Sequence, residues 1–165
     1  MFKLLFDFTD PHAVDTWRAI DDRVMGGVSR SRLRHHTAGH AVFEGKVSLA
    51  QNGGFASVRC DAVPLGMRGA VDCVIEARGD GRHFKLSLFT DDGFDAPSYQ
   101  AEFTPPAHVW QSIRLPLQMF RATFRGREVP GAPALDPAPI RQVGLMIAGR
   151  QTGTFALALR SIRLE

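Results

Sequence analysis

The sequence predicts an all-β protein, an antiparallel jelly-roll sandwich like the galactose-binding domains, and three observations carry that expectation. Sixteen glycines and ten prolines punctuate the 165-residue chain, leaving almost no window for a three-turn helix. Where long runs are readable, apolar side chains recur with period two, the pattern of half-buried strands. Turn signals return at roughly ten-residue intervals, and no helical stretch is long enough to cross between parallel strands. The length fits a single domain, 1–165, and 44% hydrophobic with 22% charged residues excludes a disordered tail.

The elements follow in order. Residues 4–8 read as the first strand. Asp10 before Pro11 supplies a side-chain acceptor at an N-cap and a proline at the first helical position, and Val14 and Trp17 stand three apart, so a turn or two of helix is expected there. Strands are expected at 29–34, 41–49 and 55–60. Val71, Cys73, Ile75 and Ala77 then alternate with Asp72, Val74, Glu76 and Arg78, and Phe84, Leu86 and Leu88 alternate with Lys85 and Ser87. The connector 79–82, with Gly79 and Gly81, predicts a tight hairpin that makes these two strands antiparallel neighbours. Strands at 99–104, 109–115, 142–148 and 154–164 complete the set. Between them, 118–139 is broken by Gly126, Pro130, Gly131, Pro133, Pro137 and Pro139 and reads as one long surface loop.

Several function classes are disfavoured by composition. The chain carries 20 basic and 17 acidic residues, and its arginines are scattered among acids rather than gathered on one segment, which argues against nucleic acid as a partner. No apolar stretch is long enough for membrane insertion, and Lys3 and Asp7 interrupt the apolar start, so a cytoplasmic protein is expected. Cys60 and Cys73 are too few for a disulfide framework and read as buried thiols. His35, His36 and His40 cluster, but adjacent strand residues face opposite ways and no carboxylate or Cys completes a metal set. Asp91, Asp92 and Asp95 resemble a calcium loop only superficially, since Ala96 stands where such a loop needs Gly. The common nucleophile, nucleotide and metalloprotease signatures are absent, so no catalytic residue, metal or cofactor is expected.

Three glycine-bearing segments hold the candidate residues: 21–29, with Asp22, Arg23, Met25 and Ser29; 52–59, with Phe55, Ser57 and Arg59; and 78–82, with Arg78 and Asp80. Each sets charges or hydroxyls beside glycine. Two readings stand open, a buried ion network that holds strand ends together and a recognition surface. Loop ends collect at the rims of a sandwich, so the three segments are expected to gather at one edge.

The same segments, in this order and together with Phe43-Glu44-Gly45, Tyr99, Trp110, Leu115-Pro116-Leu117, Phe120, Arg125-Gly126 and Gly144-Leu145-Met146-Ile147, resemble the complex I intermediate-associated protein 30 family. The resemblance implies a galactose-binding-like jelly roll and a non-catalytic role in binding or assembly. It adds Tyr99 to the candidate residues and implies a protein partner, subunits of respiratory complex I. Two rivals remain at this stage. A carbohydrate-binding domain is suggested by the fold and by Trp17, Tyr99 and Trp110, whose rings could stack on sugars. An enzyme acting on a sugar or nucleotide has only unpaired Asp, Glu and His in its favour.

Overall fold

The period-two runs become strands that share one apolar interior. The computed structural model describes residues 1–21, 27–90 and 97–165. In chain order the strands are β1 (Lys3–Asp7), β2 (Trp17–Ala19), β3 (Arg30–His36), β4 (His40–Val47), β5 (Ala56–Cys60), β6 (Asp72–Arg78) and β7 (Phe84–Phe89). They continue with β8 (Ser98–Phe103), β9 (Trp110–Pro116), β10 (Arg121–Phe124), β11 (Arg127–Glu128), β12 (Gln142–Ile147) and β13 (Gly153–Leu164). One six-stranded sheet runs β3-β4-β13-β6-β9, with β1 also on β13; a seven-stranded sheet runs β11-β10-β8-β7-β12-β5-β2. All the strand pairings are antiparallel.

The two sheets face each other across side chains that alternation places inward. Phe43 and Phe155 of the first sheet meet Phe84 of the second edge to face, with ring centroids 6.2 and 6.3 Å from it, and Phe103 lies 6.2 Å from the same ring. Such pairs add about 0.5–1.5 kcal/mol each to the burial itself. A second cluster joins Phe6, Phe8 and Trp17, the nearest pair being Phe6 and Trp17 at 5.0 Å.

The start of the chain shows how local chemistry sets an element. Asp10 Oδ1 accepts from the His12 amide at 2.9 Å and opens a single 3-10 turn, Pro11–Val14. Trp17, expected on a helical face with Val14, instead begins β2 opposite Cys60. The turn ends too soon to carry it, and the ring completes the aromatic cluster.

Two further expectations are corrected. The strands on either side of 79–82 are not neighbours: β6 pairs with β13 and β9, and β7 with β8 and β12, in the opposite sheet. Gly79 bridges Ala107, and the Asp80 carboxylate accepts from the amides of Arg82 and Ala156, so this backbone is committed to other partners. The connector carries the chain over the end of the sandwich, and Cys73, Ile75 and Ala77 still reach the same core as Phe84, Leu86 and Leu88, while Val71 before β6 is exposed. The segment 118–139 is not all loop. It contains the β10–β11 hairpin, whose two-residue turn holds Arg125 at φ 50° and Gly126 at φ 79°, the left-handed pair that matches strand twist.

Cys60 and Cys73 are free and buried. Burial raises both thiols, Cys73 to about 12. Among the described residues no helix is long and apolar enough to cross a membrane.

Candidate functional site

The structure distributes the candidate residues over two faces and the core. Asp22, Arg23 and Met25 lie outside the described residues, as do the acids of 91–96. Ser29 is buried and its hydroxyl accepts from the Ser48 amide at 2.9 Å, which ties the entry of β3 to the exit of β4. Phe55 is half-buried just before β5. Tyr99 shares its inward parity with Ala101 and Phe103; it is 8% exposed, and its hydroxyl donates to the Pro133 carbonyl at 3.0 Å. Arg78 stands on the outer face of the six-stranded sheet, 5.1 Å from the Trp110 ring centroid. Ser57 and Arg59 belong to the outer face of the other sheet.

Among the described residues no ion network joins these candidates to one another. Asp80 has Arg82 of its own turn as its nearest cation, 3.9 Å away. The buried carboxylate is the neighbouring Asp21, 8% exposed, which sequence reasoning passed over. It accepts from the Ser31 amide and the Ser57 amide, each at 3.0 Å, and from the Ser31 hydroxyl. The Ser57 hydroxyl in turn donates to the Ile20 carbonyl. Ser31 lies in an edge strand of one sheet and Ser57 in the other sheet, so Asp21 sews the two together. β2 ends at Ala19, which is exposed, so no strand parity marks Asp21; its burial comes from the donors it meets, and a buried acid must find them.

The chain entering 48–55 and the 79–82 turn both reach the start of β13. Val47 pairs with Gly153, and the Arg82 guanidinium donates to the Thr152 carbonyl at 2.9 Å.

Arg59 stands half-buried on the outer face of the seven-stranded sheet. Its guanidinium lies 4.0 Å from the centroid of the Phe89 ring. The two side chains come from β5 and β7 and meet over β12, which separates them, because the residue beneath is Gly144. A Cβ at 144 would stand 3.3 Å from Phe89 Cε2, so a larger side chain would push the ring off its seat. Among the described residues no carboxylate approaches Arg59, and burial lowers its pKa from the ordinary arginine value. A half-buried guanidinium retains its donors and has given up part of its water, an arrangement suited to receiving an anion.

The outer face of the other sheet is chemically different. Glu44 accepts from both Arg32 and Arg34, Arg160 reaches Glu76 at 3.1 Å, and Arg114 bridges Asp72 and Glu165. Trp110 is half-buried here, with the Arg160 guanidinium 4.0 Å from its centroid and His40 edge-on at 5.3 Å. His36 stacks on His40 at 4.7 Å. His35 lies on the opposite face of the same strand. Burial, first, and then His36, Arg78, Arg160 and His35 lower the His40 pKa.

Comparison with known proteins agrees with this architecture. The family model for complex I intermediate-associated protein 30 matches residues 6–159. The mitochondrial protein of that name from Drosophila melanogaster is 24% identical over 98% of this chain and 62% of its own length. An uncharacterised protein of Schizosaccharomyces pombe is 32% identical over 89% of this chain and 76% of its own. This chain thus spans just under two thirds of the fly protein and about three quarters of the yeast one. Among solved structures, a family 11 carbohydrate-binding module from Clostridium thermocellum, in complex with a β-1,3-1,4-mixed-linked tetrasaccharide, superposes with a TM-score of 0.71. It is 17% identical, and the alignment covers 99% of this chain and 94% of the module. A family 29 carbohydrate-binding module gives 0.57 at 9% identity, covering 100% of this chain and 91% of that one. These likenesses establish a galactose-binding-like β-sandwich. With the family model running through nearly every strand of it, the chain belongs to the complex I intermediate-associated protein 30 family.

Proposed function

We propose that this chain is a non-catalytic binding module, one β-sandwich domain over residues 1–165, that serves as an assembly factor for a protein complex, with subunits of respiratory complex I as its partners. The observation that carries the reading is the family match over 6–159. The cytoplasm is the proposed location, and two buried thiols left unpaired fit a reducing compartment.

The carbohydrate reading loses the aromatic platforms on which it rested. Trp17 and Tyr99 face the core, each 8% exposed. Trp110 is engaged by Arg160 and His40. Sugar rings need an open aromatic face, and the sequence holds no further Trp or Tyr.

The test is affinity capture of the tagged chain from its native host, with quantitative mass spectrometry and a native gel of the respiratory complexes. Enrichment of complex I subunits, with less assembled complex when the gene is deleted, is the expected result. A wild-type complex I level in the deletion strain, together with retention of the protein on immobilised mixed-linkage glucan, overturns the reading in favour of carbohydrate.

A further inference from the structure

One row of residues crosses the outer face of the seven-stranded sheet in continuous register. Arg121, Gln100, Ser87, Gly144, Arg59 and Arg18 lie side by side on β10, β8, β7, β12, β5 and β2. No acid interrupts it. Arg18 is matched to Asp61 at 3.0 Å, whereas Arg59 and Arg121 meet no carboxylate among the described residues. The middle of the row is polar and uncharged, with the Gln100 amide donating to the Ser87 hydroxyl at 3.0 Å. Across the molecule, by contrast, Arg32, Arg34, Arg114 and Arg160 are all answered by carboxylates of the chain itself.

We propose that Arg59 receives a carboxylate side chain from an acidic segment of a partner polypeptide, with Arg121 making a second contact. The proposal rests on the assembly reading for the identity of that polypeptide, and its chemistry is read from the row. Packing against the Phe89 ring, 4.0 Å away, restricts the Arg59 side chain, so less ordering is left to be done when a carboxylate arrives. Partial burial reduces competition from water, which strengthens a charge-assisted pair. Gly144, buried beneath the pair, leaves the room that lets Arg59 and the Phe89 ring meet across β12. Arg59 and Arg121 are four strands apart, about 19 Å at the usual strand spacing, which roughly six extended residues would span.

The probe is a capped heptapeptide with Glu at both ends and Ser between, titrated into the full chain at millimolar concentration, with its Gln counterpart and inorganic phosphate as separate arms. The Arg59 Nε–H resonance reports occupancy. The Glu peptide is expected to shift it and the Gln peptide to leave it in place. Arg59→Gln is expected to weaken binding roughly 10-fold or more. Arg114→Gln removes the same unit of charge from the other face and is expected to bind like wild type. Thermal melting of each variant shows that it is folded. Equal shifts by the Glu and Gln peptides, unchanged binding by a folded Arg59→Gln, or a response to phosphate alone would each overturn the proposal. Capture from the host separates the two claims. Subunits retained equally by wild type and Arg59→Gln overturn the carboxylate site and leave the assembly reading intact. A peptide that binds at Arg59 while wild type captures no respiratory subunit sustains the site and removes the assembly reading.

Discussion

Replacing Asp21 by Ala removes the acceptor for three donors at once: the Ser57 amide, the Ser31 amide and the Ser31 hydroxyl. The three are not equal in consequence. The Ser31 hydroxyl keeps a second acceptor, the Ser57 carbonyl at 3.2 Å, and Ser31 is only half-buried, so water can reach its amide. The Ser57 amide is buried with its residue and has no such recourse. A stranded buried donor costs about 1–3 kcal/mol, so the Ser57 amide with a partial charge for Ser31 sums to about 2–4 kcal/mol. Total stability for a domain is about 5–15 kcal/mol, and each kcal/mol moves the melting midpoint by about 2–4 °C at this size. We therefore expect Asp21→Ala to melt about 5–15 °C lower. Urea unfolding should show the same loss at unchanged m-value, and the Ser31 and Ser57 amides should exchange faster than in wild type. A loss under about 1 kcal/mol, with Ser57 still protected, would show that Asp21 does not hold the sheets together.

Gly45→Ala should be strongly destabilising, since a Cβ there would sit 2.0 Å from the Arg30 carbonyl oxygen and force β3 away from β4; urea unfolding should register a loss of about 2 kcal/mol or more. His40 makes stability depend on pH. Its folded pKa lies below its unfolded value of about 6.5, so the unfolded state takes up its proton first as pH falls, and stability drops from about pH 6.5 downward. Melting from pH 8 to 5 should show that slope, flattened in His40→Phe, and an NMR titration should place the His40 midpoint below that of a free imidazole. Cys73, buried and raised to about 12, and Cys60, raised by burial, should both resist a disulfide reagent at pH 8 until the chain is unfolded by urea.

The fold was legible in the sequence wherever alternation ran long enough to state a parity. Cys73, Ile75 and Ala77, and Phe84, Leu86 and Leu88, point inward as read, because a half-buried strand admits only two registers of side chains; Val71, expected with them, precedes β6 and is 65% exposed, and Val74 of the opposite set is buried as well. What parity cannot state is which sheet a strand joins. The 79–82 connector has the composition of a hairpin, yet Asp80 reaches across 76 residues to the Ala156 amide, and that distant bond decides the crossing. β2, β10 and β11 went unread because strands of three, four and two residues carry too few alternations to stand out from a loop. The candidate residues divide on the same ground. Tyr99, which the family resemblance singles out, has the parity of a core residue; Asp21 follows the end of β2 and carries no alternation that could mark it as buried.

Arg59 was legible as a residue of interest and not as the kind of residue it is. Its sequence neighbours suggested either a buried ion pair or an exposed charge, and the structure supplies neither. A buried guanidinium usually keeps a carboxylate, because leaving it alone forfeits solvation with nothing gained in return. Phe89 supplies only part of that return, about 0.5–1 kcal/mol where the pair is exposed and about 2 where it is dry. The other sheet shows that this chain places acids opposite arginines readily, as Glu44 does for Arg32 and Arg34. Arg59 thus accepts lower solvation without the ion pair that such a position ordinarily receives. Arg78 on the six-stranded sheet also lies over a ring, that of Trp110, with no ion pair among the described residues, so the two faces differ in degree. The proposed carboxylate site would make the seven-stranded sheet the binding side: Arg32, Arg34, Arg114 and Arg160 are already neutralised within the chain and have little to offer another, whereas the half-buried Arg59 guanidinium has donors still to be met.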